Sequence, residues 1–175
     1  MPLSDNVSSM SKTKKLVLLG ILVSLAAALH ALEALIPNPV PIPGAKLGLA
    51  NIITLVTLTL FGWREGVVVV VLRVLIGSLL GGTFLGLGFL LSFSGAVFSL
   101  LIMYGLIRFA PSFSVIGVSV GGAVAHNLAQ VTIAALVTQT PYLYFFLPVL
   151  LLLSVPTGIF TGIAAKAVRN SLLHL

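Results

Sequence analysis

The 175-residue chain is 59% hydrophobic and only 7% charged, with a mean hydropathy of +1.24. Three acids and nine bases are too few to solvate a water-soluble domain of this size, so lipid is the solvent for most of it. The absence of cysteine excludes disulfides, thiolate zinc sites and cysteine nucleophiles, and the bases behind the net charge of +6 lack the clustered, aromatic-interleaved pattern of a nucleic-acid surface.

Residues 1–15 are polar, rich in Ser and Lys, and read as a disordered tail. Residues 16–170 read as one domain of six membrane helices. Leu16 to Ile36 supplies 21 largely apolar residues, which at ~1.5 Å per residue match a hydrocarbon core of about 30 Å. Its lysine-tipped start and Ala26 to Ala28 imitate a signal peptide, but the run continues past a signal core and ends in proline, so an uncleaved helix is expected. Leu47 to Phe61 and Gly66 to Leu80 follow, each 15 residues, as two short spans or a hairpin buried among longer helices. The β-branched run Val67 to Val71 is helical on this reading, because an open sheet edge is not satisfied in lipid. Phe84 to Ile107, Val115 to Val137 and Leu143 to Ala165 are full-length spans, with Pro148 and Pro156 expected to kink the last.

Positive residues are retained on the cytoplasmic side. With both termini inside the plasma membrane, Lys12, Lys14, Lys15, Arg64, Arg108, Lys166 and Arg169 all fall at cytoplasmic ends. The two exceptions are Lys46, in the proline-stiffened first outer loop, and Arg73, within the third helix. Trp63 on one side, and Tyr142 and Tyr144 on the other, read as interfacial anchors.

Ionisable and amide groups inside a membrane are costly and need partners. On this topology His30, Glu33, Asn51, Thr54, Arg73, His126, Asn127 and Gln130 lie from mid-membrane to the outer half, beneath Lys46. Spacings of three and four place His30 with Glu33, Asn51 with Thr54, and His126 with Gln130 on shared faces. Lys46 and Arg73 against Glu33 favour an anionic or zwitterionic small molecule over a cation. Each residue also has a plainer reading: Arg73 paired with Glu33, Lys46 at the headgroups, His126 and Asn127 bonded to neighbouring helices. Small residues recur at intervals of four in Gly20, Ser24 and Ala28, in Ala27 and Ala31, in Gly82 and Gly86, and in Gly158 and Gly162, which permits close helix approach.

Four stretches, "PGAKLGLANIITL" (Pro43 to Leu55), "RVLIGSLLGG" (Arg73 to Gly82), "SFSGAVFSLLIM" (Ser92 to Met103) and "GVSVGGAVAHNLAQ" (Gly117 to Gln130), together resemble the Gx transporter family. That family is historically labelled heptaprenyl diphosphate synthase component I and is similar to the substrate-binding S components of energy-coupling factor (ECF) transporters. The resemblance implies an all-α integral membrane protein, a six-helix bundle of the S-component type, with a pocket near the outer face roofed by the first loop. It implies substrate contacts from Glu33, Lys46, Asn51, Arg73, His126, Asn127 and Gln130, and docking of Ala27 and Ala31 against a transmembrane coupling subunit that works with ATPases.

The synthase label makes a chemical demand: magnesium held by paired aspartate-rich motifs. The sole aspartate is Asp5, in the tail, so the chain is not expected to be an enzyme, and no metal or cofactor is expected. No Gly-rich phosphate loop with its lysine is present either, so ATP hydrolysis falls to partners. The rival reading is an accessory protein of isoprenoid or quinone metabolism or extracellular electron transfer. A long greasy ligand would then need a groove open sideways to lipid, where a nutrient needs a closed polar pocket. A pure scaffold is the third reading.

Overall fold

A computed structural model describes residues 10–33 and 48–173. Residues 1–9 of the tail and the seam from Pro37 to Leu47, with Lys46 in it, lie outside the described residues, whereas Lys12 to Lys15, expected in the disordered tail, form the start of the first helix. Among the described residues there are six α-helices and one 3₁₀-helix, in the order α1 (Lys12–Glu33), α2 (Asn51–Leu60), α3 (Trp63–Leu80), α4 (Leu87–Phe109), α5 (Val115–Thr138), a 3₁₀ segment (Pro141–Phe146) and α6 (Leu147–Leu173).

Four stretches are long and apolar enough to cross a membrane: α1, α4, α5 and the 3₁₀ segment with α6. The short α2 does something else. Its ten residues reach about 15 Å at ~1.5 Å each, and eight of them are buried, including Asn51, Thr54 and Thr57. It packs against each of the other five helices and forms the axis of the bundle. A helix shielded by protein on all sides does not need to match the bilayer thickness, which is how the 15-residue run from Leu47 shortens. Gly48, with φ of +85°, turns the chain before α2, and Asn51 and Ile52 donate to the carbonyls of Gly48 and Leu49. Gly62, with φ of +95°, joins α2 to α3 and caps the latter. The break between the two apolar runs, Gly62 to Glu65, is therefore a one-residue corner followed by the first turn of α3.

The outer helices pack in chain order. The α4–α5 and α5–α6 contacts are the most extensive, followed by α1–α3. Helix α5 is the best-defined element, because Ser114 accepts from the Gly117 amide at 3.1 Å and Gln139 ends the helix in the left-handed region. A Cβ on Gly158 would sit 2.6 Å from the Val120 Cα, and one on Gly162 2.8 Å from the Ile116 Cα, so these glycines let the α5 and α6 backbones touch.

Two expectations about helix packing are corrected. Gly82 and Gly86 belong to the turn before α4 and make no helix-to-helix contact: nothing lies within 4 Å of a Cβ at Gly82, and only the local Thr83 carbonyl lies near one at Gly86. Pro148 is the second residue of α6, where a missing amide is harmless, and only Pro156 lies inside the helix. On α1, Gly20, Ser24 and Ala28 lie exposed, whereas Ala27 is buried and Ala31 half-buried.

Candidate functional site

Helices α1, α2, α3 and α5 each send a buried polar side chain to one level of the bundle. Asn51, the first residue of α2, is at the centre. Its Oδ1 accepts from Arg73 Nη2 of α3 at 2.7 Å, and its Nδ2 lies 3.4 Å from His126 Nδ1 of α5. Glu33, in the last turn of α1, accepts the Leu49 amide through Oε1 at 2.8 Å and acts electrostatically on Arg73. The side chains of Glu33, Asn51, Arg73 and His126 are all at most 5% exposed. Four of the seven expected contact residues thus form one connected network.

Glycines make the room. A Cβ on Gly95 of α4 would lie 2.7–3.0 Å from three atoms of the His126 ring, and one on Gly48 would lie 2.8 Å from Asn51 Nδ2. Gly77 of α3 plays the same part for His30. Gly77 and Gly95 stand in the sequence only as parts of longer stretches, whereas Gly48 is legible there as a residue that lets the loop fold back. A signal that singles them out is glycine inside an apolar helix, where it costs about 1 kcal/mol against alanine and needs a packing reason.

Asn127 and Gln130 behave differently from His126. Asn127 turns to α6, where Nδ2 donates to Ser154 Oγ at 2.8 Å and to the Leu150 carbonyl at 3.3 Å. The expected place on the pocket floor is not where its side chain lies. Gln130 is buried one turn beyond His126 on the same helix. Ser154 and the Ser119–Thr161 pair, at 2.7 Å, escaped the sequence reading because a hydroxyl in an apolar run carries little hydropathy signal.

The network is not fully satisfied. Arg73 Nε and Thr54 Oγ1 are buried without a hydrogen-bond partner among the described residues, as are Ser78 and Ser92 Oγ. An unmet buried polar group costs about 1–3 kcal/mol, so the helix contacts alone do not account for these four. Among the described residues no group of three or more His, Asp or Glu is arranged to hold a metal ion.

An all-helical bundle with apolar outer faces, a buried central half-helix and a polar network around it defines a membrane protein with polar groups at its interior. Residues 22–168 match the family described as Heptaprenyl diphosphate synthase component I, and the chain belongs to that family. No curated protein and no solved structure matches it significantly.

Proposed function

We propose that the protein is a substrate-binding membrane subunit of the S-component type, capturing a small anionic or zwitterionic nutrient at the outer face of the plasma membrane. The observation that carries this reading is the Arg73–Asn51–His126 chain with Glu33 beside it, connected yet left with an unpartnered Arg73 Nε. On this reading six helices cross or enter the bilayer, both termini are cytoplasmic, and Lys46, which lies outside the described residues, adds its positive charge to the ligand. Arg73 supplies the fixed positive charge, Asn51 and His126 orient the ligand, and Glu33 sets the charge balance and anchors the backbone at Leu49. The chain performs no catalysis of its own. A transmembrane coupling subunit and ATPases supply the energy for uptake.

Native mass spectrometry of the purified protein tests this. A small polar species should co-purify with the wild type and be lost, at least tenfold, from Lys46→Ala. Retention at unchanged affinity removes Lys46 from the reading, and the absence of any polar species in both proteins removes the receptor.

One observation favours the second reading, an accessory role in isoprenoid or quinone metabolism. An apolar groove of about 770 Å³ runs along α4 and α5, walled by Phe98, Ile102 and Leu106 and floored by Gly121, Ala125 and Ala129. It is open sideways, as a greasy chain requires. A co-purifying polyprenyl species in the same mass spectrum would favour this role over nutrient capture.

A further inference from the structure

At the other end of the bundle, about 15 Å from Arg73 at ~1.5 Å for each of the ten α3 steps from Trp63, a separate cavity of about 530 Å³ opens where α2 meets α3 beside the end of α4. That volume suits a small organic ligand. Trp63 and Tyr104 form one wall, with ring centroids 4.8 Å apart and planes tilted by 44°. Leu58 and Ile107 supply an apolar wall, and Arg108 lines the rim. Trp63, Tyr104 and Arg108 bring an indole N–H, a phenol hydroxyl and a guanidinium to its lining. They are three sets of donors around one hollow.

The charge balance excludes a cation. The described residues hold two acids. Glu33 belongs to the distant network, and Glu65 is taken by the Lys15 ammonium. Arg108 therefore faces the cavity with no acid partner among the described residues, and Arg64 stands exposed nearby, one residue after Trp63. A planar guanidinium beside a phenol and an indole N–H suits an anion with several oxygens, which an arginine grips through two parallel bonds. A bare oxyanion would fill only a small part of the volume, so the ligand also needs a body to set against Leu58, Ile107 and the rings.

We infer that this cavity is a second binding site, independent of the polar network, for a phosphate group carrying an organic body: the headgroup of an anionic phospholipid or a soluble phosphate ester. Trp63 is the only tryptophan in the chain, so its emission reports on this cavity alone. The protein in phosphatidylcholine nanodiscs is titrated with phosphatidylglycerol in one arm and with glycerol phosphate in the other. A saturable change in Trp63 emission is expected. Its apparent affinity should fall about tenfold or more in Arg108→Gln and a few-fold in Tyr104→Phe, as charge-assisted bonds exceed neutral ones. Arg64→Gln, an exposed base that does not line the cavity, should leave it unchanged. Saturation by phosphatidylglycerol alone identifies a lipid headgroup, and saturation by glycerol phosphate identifies a soluble ester. No saturable signal from either probe, equal losses in Arg64→Gln and Arg108→Gln, or no loss in Arg108→Gln overturns the site. Arg108 is exposed and its replacement is fold-neutral by position; Tyr104→Phe keeps the ring and provides an independent variant.

Discussion

His126 and Asn127 are neighbours on α5, both buried, and they belong to different parts of the molecule. Asn127 is closed off: Ser154 and the Leu150 carbonyl take both hydrogens of its amide, and the Ser119–Thr161 bond continues the same seam between α5 and α6. Between those two bonds Gly158 brings the helix backbones into contact. His126 points instead to a network in which Arg73 Nε and Thr54 Oγ1 are left over. A polar seam whose groups are matched holds two helices together, whereas one with buried donors to spare is not accounted for by helix packing alone. The contrast separates the two groups more sharply than depth in the membrane does.

The largest effect is expected at the seam. Gly158→Val would place branched carbons against the Val120 backbone, which is unable to swing aside as a side chain does. The helices must separate, at a cost of about 3 kcal/mol, the upper part of the range for overpacking. Thermal unfolding in detergent should show a lower midpoint and loss of the α5–α6 contact. An unchanged midpoint would mean that the seam is looser than the glycine spacing requires.

The comparison is sharpened by a paired measurement. Asn127→Ala should destabilise the protein by about 1 kcal/mol, in the range of interhelical bonds in membranes, and leave ligand retention intact. Arg73→Met should affect both. It leaves Glu33 buried without its counter-charge and Asn51 Oδ1 without its donor, so stability falls by about 3 kcal/mol, and retention of an anionic ligand falls at least tenfold as well. Unfolding midpoints and native mass spectra of both variants, taken together, decide the matter. If Asn127→Ala loses the ligand and Arg73→Met keeps it, the two networks have been assigned the wrong way round.

The sequence carried the level of the polar groups but not their directions. Glu33, Asn51, Arg73 and His126 were placed at compatible depths by hydropathy and spacing, and they meet. Asn127 was placed with His126 because it shares that depth. Adjacent helical residues nevertheless diverge by about 100° and do not face one hollow. The helix assignments show the same limit. The span from Val115 to Val137 was readable because Ser114 and Gln139 bound it with turn chemistry at both ends. The run from Leu47 to Phe61 was not, because its apolar composition says nothing of the left-handed Gly48 or of the turn through Leu49 and Ala50 that delays α2 to Asn51. An apolar residue suits a turn buried in a bundle as well as a helix facing lipid.

A third kind of pair, matched but reached by water, gives the smallest effect and bounds the other two. Lys15 of α1 meets Glu65 in the first turn of α3, at the end of the bundle, with the two side chains 37% and 19% exposed. Partial burial alone would raise the Glu65 carboxyl, but the hydrogen bond from Lys15, its own backbone amide and the charges of Lys15 and Arg64 outweigh it and hold the group below its ordinary value. The folded-state value is thus below the unfolded one. The pair stabilises the protein fully above the unfolded carboxylate value and loses that contribution as pH falls through the folded value. Glu65→Gln should therefore lower the unfolding midpoint slightly at neutral pH, by an amount fitting the 0–1 kcal/mol of exposed pairs, and match the wild type in acid. High salt should shrink the neutral-pH difference, since solvent reaches both partners. A difference that persists in acid and in salt would place this pair with the closed α5–α6 seam, and would show that the end of the bundle is drier than its exposure indicates.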